Sequence, residues 1–176
     1  RFMGRIHAVG ATRRFQHREA LTPQSFGHVP RAYLLTTPFI PADLLDAWPQ
    51  CRLNVDMKAD SAVDPTIEAI WKVNARDRVL LASFNDRRIR WARRICGPRQ
   101  ATSMGQREIA RLRIASLHGR GLAGFVPGVP AAQVPVRYFG VRVVDAHFVG
   151  HAHRLGLQVH VWTVNEPAVA RGLWAV

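Results

Sequence analysis

The sequence predicts an α/β chain built on a parallel sheet, and the architecture it favours is an incomplete TIM-type (βα) barrel. Three observations carry that expectation. From Arg52 onward, short apolar segments of strand length alternate with amphipathic segments of helix length, the pattern of βαβ units. No GxGxxG follows the first strand and no Walker-A loop is present, which removes the usual signs of an open nucleotide-binding sheet. Five strands are readable, three short of the eight that close such a barrel.

The elements follow in order. Pro41-Ala-Asp-Leu-Leu-Asp-Ala-Trp48 reads as a short helix stopped by Pro49. Leu53-Asn-Val-Asp-Met-Lys58 alternates strictly, with Leu53, Val55 and Met57 on one strand face and Asn54, Asp56 and Lys58 on the other. Pro65 suits the first turn of a helix through Lys72, and Val79-Leu-Leu-Ala-Ser83 is the next strand. Asn85 is a good N-cap for a helix through Cys96, whose stripe Ile89, Ala92, Ile95 and Cys96 faces inward while Arg87, Arg90 and Arg94 line another side. Gly97-Pro98 stops it.

Ala101-Thr-Ser103 reads as a short strand and Gln106 to Leu117 as a helix with Ile109, Leu112 and Leu117 inward. Gly119 to Pro130 is a loop, and Ala132-Gln-Val-Pro135 a further strand. Asp145 caps a helix through Leu155 that Gly156 ends. Gln158-Val-His-Val-Trp-Thr163 alternates as the last strand, and Glu166-Pro167 opens a helix within which the sequence stops.

With 176 residues, 48% of them apolar, the chain is expected to form one globular domain, and disorder and collagen are excluded. No apolar run approaches the roughly 20 residues of a membrane-spanning helix, and no apolar stretch backs the charges of Arg1-Phe2-Met3-Gly4-Arg5. Cys51 and Cys96 lie outside any CxxC spacing and read as two free thiols, which favours a cytoplasmic setting. Residues 1–37 read as an unpatterned head, disordered or out of frame, broken every few residues by Gly4, Gly10, Pro23, Gly27 and Pro30. Residues 38–176 hold the partial barrel.

The charge balance is 25 Lys+Arg against 12 Asp+Glu, and all the cations except Lys58 and Lys72 are arginine. Such a surplus invites an anionic partner, either nucleic acid or anionic lipid. The densest stretch, Arg87 to Arg113, carries nine arginines against Glu108. It spans two amphipathic helices, so a solvated outer face accounts for it better than a nucleic-acid groove does.

In a parallel barrel the chemistry sits at the strand C-termini. Asn54, Asp56 and Lys58 form a polar row on a strand whose other face is continuously apolar. A carboxylate and an ammonium two residues apart suit a divalent cation and a phosphate oxygen respectively; a structural ion pair is the alternative. Ser83, at the end of its strand, is placed to donate to a phosphate or to form a turn. His160 and Trp162 share a face, and the indole is either a stacking wall for a ligand or core filler. His147, His151 and His153 cluster, but the apolar positions Ala146, Val149, Ala152 and Leu155 leave them toward the polar side, a solvated face rather than a metal site.

Three segments taken in order, Asn54-Val-Asp-Met-Lys58, Val79-Leu-Leu-Ala-Ser-Phe84 and His160-Val-Trp-Thr-Val-Asn165, resemble the acidic-x-Lys, Ser-Phe and Trp-Thr-Val-Asn strands of the glycerophosphodiester phosphodiesterases. Pro38-Phe-Ile-Pro-Ala-Asp-Leu-Leu45 is similar to the segment that precedes the first of them. The resemblance covers residues 38–176. It implies a TIM barrel of the phosphodiesterase kind and a metal-dependent hydrolase, using Mg or Ca, that cleaves a small-molecule glycerophosphodiester to glycerol 3-phosphate and an alcohol. It puts Asp56 at a metal ligand, Lys58 at the phosphate-contacting lysine and Trp162 at a substrate wall. The family's catalytic histidines belong to His-Arg-Gly and His-Asp motifs and two further metal ligands to Glu-x-Asp. None of the eight histidines here stands in either motif, His17-Arg18-Glu19 coming nearest. The sequence therefore names no catalytic acid or base, is expected to be a fragment or a decayed copy, and leaves the alcohol and the metal unspecified.

Overall fold

The structure is a computed structural model that describes residues 7–8, 34–35, 42–118 and 129–176. Apart from His7–Ala8 and Leu34–Leu35, the head expected over residues 1–37 lies outside the described residues, as do Pro41 and most of the loop expected at 119–130.

The described elements mix strand and helix in the α/β manner. They are β1 (His7–Ala8), β2 (Leu34–Leu35), α1 (Ala42–Ala47), β3 (Leu53–Asp56), α2 (Val63–Lys72), β4 (Val79–Ala82), α3 (Asp86–Cys96), α4 (Gln106–His118), β5 (Ala131–Val134), β6 (Arg137–Tyr138), β7 (Val141–Arg142), α5 (Ala146–Arg154), β8 (Gln158–Val161) and α6 (Pro167–Trp174). Two three-stranded parallel sheets run β2-β3-β4 and β1-β8-β5. Between them lies the segment expected as a strand at 101–103, which pairs Leu81 with Thr102 and Ser103 with Ala131, both in parallel. Ser103 N–H donates to Leu81 O at 2.8 Å and Met104 N–H to Ala131 O at 2.8 Å.

This run of parallel neighbours is curved. β3 and β5 stand three strand spacings apart, about 14 Å in a flat sheet. Yet Gln133 Nε2 on β5 donates to Asn54 Oδ1 on β3 at 2.8 Å. The two amides can meet only if the sheet bends toward the face they share. No closed barrel is present among the described residues.

The helices cover the opposite face, and the alternation of β3 shows why. Leu53, Val55 and Met57 are buried with Ile67 and Ile70 of α2, Leu81 of β4 and Ile89 and Ala92 of α3. A second cluster packs Val159 and Val161 of β8 and Val134 of β5 under Leu112, Phe148, Val149 and Leu173 of α4, α5 and α6. Phe148 has no exposed surface, and burial of one such side chain stabilises by about 1.5–3 kcal/mol. Both clusters leave the concave side to polar groups.

The helix ends follow their caps. Asn85 Oδ1 accepts from Arg87 N–H at 2.9 Å and Arg88 N–H at 3.3 Å, and Asp145 Oδ1 accepts from Phe148 N–H at 2.8 Å. Gly156, at φ +75°, releases the chain from α5 into β8. The last helix closes at Trp174, with Ala175 as its C-cap.

Four expectations are corrected. Leu117, expected inward on α4, is 61% exposed. It follows Leu112 by five residues, about 140° around the helix, and the position in phase is the buried Ser116. Ile95 on α3 is likewise exposed, leaving Ile89, Ala92 and Cys96 as the buried stripe. The histidines of α5 do not share a solvated face: His147 is exposed, but His151 is buried because α5 packs against both α4 and β8, which widens its buried arc. Nor is the arginine stretch wholly solvated. Arg88 is held by Asp60, Arg93 by Glu108 and Arg113 by Asp145. No helix among the described residues is long and apolar enough to cross a membrane.

Candidate active site at the ends of the parallel strands

A cavity of about 940 Å³ opens where β3, β4, β5 and β8 end. Asp56 and Lys58 enter it from β3, Ser83 and Phe84 from the end of β4, Gln133 from β5 and Trp162 from the end of β8. All four residues expected at the site, Asp56, Lys58, Ser83 and Trp162, line this one cavity. That follows from parallel strands, whose C-termini lie on one edge. The first turns of α4 add Arg107 and Ile109, and the hairpin β6–β7 adds Tyr138 and Val141.

Asp56 is 8% exposed and Asn54 7%, so the polar row of β3 is buried rather than facing solvent. Lys58 Nζ donates to Asp56 Oδ2, while Lys58 itself is half exposed. Asp56 Oδ1 is buried and has no hydrogen-bond partner among the described residues. A carboxylate so placed has room for one more donor or a cation. Opposite, Phe84 and Trp162 meet edge to face, with ring centroids 5.0 Å apart at 82°. They form a wall of apolar surface, and such pairs contribute about 0.5–1.5 kcal/mol beyond area burial.

Ser83 does not offer its proton to a ligand. Its hydroxyl donates to Met57 O at 3.0 Å and accepts from Arg88 Nη1 at 3.2 Å and Asn85 N–H at 3.3 Å. Arg88 also donates from Nη1 to Met57 O at 3.0 Å and from Nε to Asp60 Oδ1 at 2.9 Å. Ser83 and Arg88 thus both hold the Met57 carbonyl that precedes Lys58, and Arg88 also holds the Asp60 side chain two residues after it. Arg88 and Arg87 together hold the exposed Asp60 carboxyl below the usual range by hydrogen bonding to it.

Two further ion pairs fix α4, which supplies one side of the cavity. Burial raises the Glu108 carboxyl, but the guanidinium of Arg93 and the N–H of Gly105 outweigh it and hold the group below its ordinary value. Burial opposes ionisation of Asp145 too, and the Phe148 N–H and Arg113 overcome it. Asp86 Oδ1 accepts from Arg107 N–H at 3.1 Å, tying the start of α3 to the start of α4.

The donor set does not make up a divalent-metal site. Asp56 is one carboxylate already engaged by an ammonium, and no group of three His, Cys, Asp or Glu converges among the described residues. Calcium takes six to eight oxygens, and magnesium relies on one or two carboxylates with waters and phosphates; Asp86, the other carboxylate lining the cavity, is held by Arg107, so with Asp56 paired to Lys58 the two are a weak anchor.

Several lining residues were not legible beforehand. The contact between Asn54 and Gln133 joins positions 79 apart in sequence. The hairpin β6–β7 turns through Phe139 at φ +46° and Gly140 at φ +78°, the left-handed pair of a two-residue loop. Gly140 was the available signal. Phe is not a residue that such a turn selects, which is why the signal stayed hidden.

Residues 35–175 match the family model described as the glycerophosphoryl diester phosphodiesterase family. A curated relative from Mycobacterium tuberculosis, named "Probable glycerophosphodiester phosphodiesterase 2", is 41% identical over 133 residues, which is 74% of this chain and 50% of the relative. The chain spans about half the length of that relative. On the extent of both matches, the chain belongs to the glycerophosphoryl diester phosphodiesterase family.

Proposed function

We propose that this chain carries the substrate-holding side of a hydrolase that cleaves small-molecule glycerophosphodiesters to glycerol 3-phosphate and an alcohol. The observation that carries the reading is the meeting of the Asp56–Lys58 pair and the Phe84–Trp162 wall across one cavity, within the segment that matches the family. Lys58, bonded once to Asp56 and half exposed, has donors left for a phosphoryl oxygen. Trp162, backed by Phe84, packs the glycerol or alcohol carbons. Ser83, which was expected to reach the phosphate, acts instead on the backbone of Met57 and so positions Lys58.

The scaffold is an incomplete TIM-type barrel, expected over residues 38–176 and extended at its start by β2 (Leu34–Leu35). Support comes from the all-parallel neighbours, which follow sequence order from β2 to β8, and from the bend that joins Asn54 to Gln133. A cytoplasmic setting is supported by Cys51 and Cys96, both free thiols. The two carboxylates that line the cavity are already engaged, Asp56 by Lys58 and Asp86 by Arg107, so they do not make up a divalent-cation site. No histidine stands in a His-Arg-Gly or His-Asp motif, so in this reading the described residues hold the phosphate through Lys58 and place no acid or base, groups that typically contribute about 10² to 10⁴ each.

Calorimetric titration with glycerol 3-phosphate tests the reading. Lys58→Ala is expected to weaken binding about tenfold or more, and Trp162→Ala to weaken it similarly. Equal affinity in the parent and both variants would remove the site. Release of glycerol 3-phosphate from glycerophosphocholine with Mg²⁺ or Ca²⁺ is expected to stay at the buffer rate. Robust turnover lost in Asp56→Ala would show that a histidine, His17 or His160 first, supplies the missing proton transfer.

A further inference from the structure

The six residues from Arg137 to Arg142 are all exposed, although three of them are Tyr138, Phe139 and Val141. Phe139 is 90% exposed at the tip of the hairpin, and its backbone lies at φ +46°, a region that side chains other than Asn, Asp and Gly seldom occupy. Tyr138 packs edge to face against it, with centroids 4.5 Å apart. A large apolar ring is thus held outward against both solvent and its own backbone preference. Strain kept at one position points to a use for it.

The flanks say what the tip meets. Arg137 Nη1 donates to Gly140 O at 3.0 Å, which holds that guanidinium at the turn, and Arg142 Nε donates to Val144 O at 2.9 Å, toward the base of the hairpin. The chain as a whole carries a formal net charge of +13. Three apolar side chains at the tip amount to about 400 Å² at most, well below the roughly 800 Å² per partner of a stable protein interface. Exposed aromatic rings on a hairpin that carries an arginine on each strand match the boundary of a lipid bilayer, where rings sit among headgroups and cations pair with anionic phosphates.

We propose that the β6–β7 hairpin is a membrane-surface anchor that inserts Phe139 and Tyr138 at the headgroup level of an anionic bilayer. Because Tyr138, Phe139 and Val141 also line the cavity of Asp56 and Lys58, docking sets the cavity mouth against the lipid surface. Charge draws the chain to the membrane and the rings hold it there.

Co-sedimentation of the full chain with phosphatidylcholine vesicles, with and without about 30 mol% phosphatidylglycerol, tests this. Its readout is partition, so it is independent of turnover and of the substrate reading. The parent is expected to bind the anionic vesicles. Phe139→Asn, whose side chain tolerates the left-handed backbone, is expected to bind them roughly ten- to a hundredfold more weakly with unchanged circular dichroism. Arg137→Gln with Arg142→Gln should cut the anionic preference about fivefold per charge. Failure of the parent to bind anionic vesicles would overturn the proposal. So would equal partition of the parent and Phe139→Asn, which would assign any binding to the general positive charge. Binding of duplex DNA that is lost on Phe139→Asn while vesicle binding is kept would overturn it in favour of nucleic acid.

Discussion

Replacing Glu108 by Gln should destabilise the chain by about 2–3 kcal/mol at neutral pH and by less in acid. Glu108 accepts from Arg93 Nη1 at 2.6 Å, from Arg93 Nη2 at 2.8 Å and from Gly105 N–H at 2.8 Å. Hydrogen bonds to a charged group contribute about 1.5–3 kcal/mol each, and glutamine keeps one oxygen while turning a donor toward the guanidinium. The side chains of Arg93 and Glu108 are 16% and 18% exposed, so screening by water trims the sum but does not erase it. For a chain of this size each kcal/mol moves Tm by about 2–4 °C, giving a fall of roughly 5–10 °C. The folded Glu108 carboxyl lies below its ordinary value of 4.5, so between the two values the unfolded chain binds more protons than the folded one. The stabilisation is therefore complete above that ordinary value and is lost as pH falls through the depressed folded one. Thermal denaturation followed by circular dichroism at pH 7, 5 and 3 should show the parent and variant separated at the first two and a narrower gap at the third. A gap at pH 3 as wide as at pH 7, or no gap at pH 7, would refute the reasoning.

Gly105→Ala should cost about 1–3 kcal/mol in chemical denaturation, because its Cβ would lie 2.4 Å from Asp86 Oδ1, an atom held by the Arg107 N–H; a variant as stable as the parent would show that the α3–α4 junction is loose. Asn85→Ala removes the acceptor for two N–H groups at the start of α3 and should cost about 1 kcal/mol by the same measurement, with a neutral result refuting the cap. Cys51 should react with an aromatic disulfide reagent at pH 8 well before Cys96, whose thiol is pushed up by burial against the opposing pull of Arg76; equal rates would contradict the buried placement.

What could be read from the sequence was what one element decides alone. Strict alternation in Leu53 to Lys58 fixed which side chains share a face, and Asn85 and Asp145 marked helix starts because their side chains cap the next turn. The buried arc of α5 was not legible, since it depends on how many neighbours the helix has, and His151 lies where the second neighbour packs. The same holds for the arginines. Arg88, Arg93 and Arg113 look like surface charge along the chain, and only the approach of Asp60, Glu108 and Asp145 makes them struts. Strands of two residues, such as β1 and β2, carry no period at all and are defined only by the neighbours they pair with.

The concave face shows how stability and function divide the sheet. Leu53, Val55 and Met57 bury apolar area against helices, whereas Asn54 and Asp56, one residue out of phase, bury polar groups that need partners. Asn54 finds Gln133 by bending the sheet, and Asp56 Oδ2 finds Lys58. Asp56 Oδ1 finds none among the described residues, at a cost of about 1–3 kcal/mol for a buried unsatisfied group. An apolar residue there would remove that cost, as Ala82, its neighbour in register on β4, illustrates. A carboxylate kept in so unfavourable a place, facing the cavity beside an ammonium with spare donors, makes sense where a ligand completes it. Such a ligand group is a donor or a cation, since a phosphate oxygen would repel Asp56 Oδ1; in the proposed seating it is Lys58, bonded once and half exposed, that meets the phosphoryl oxygen at the end of β3.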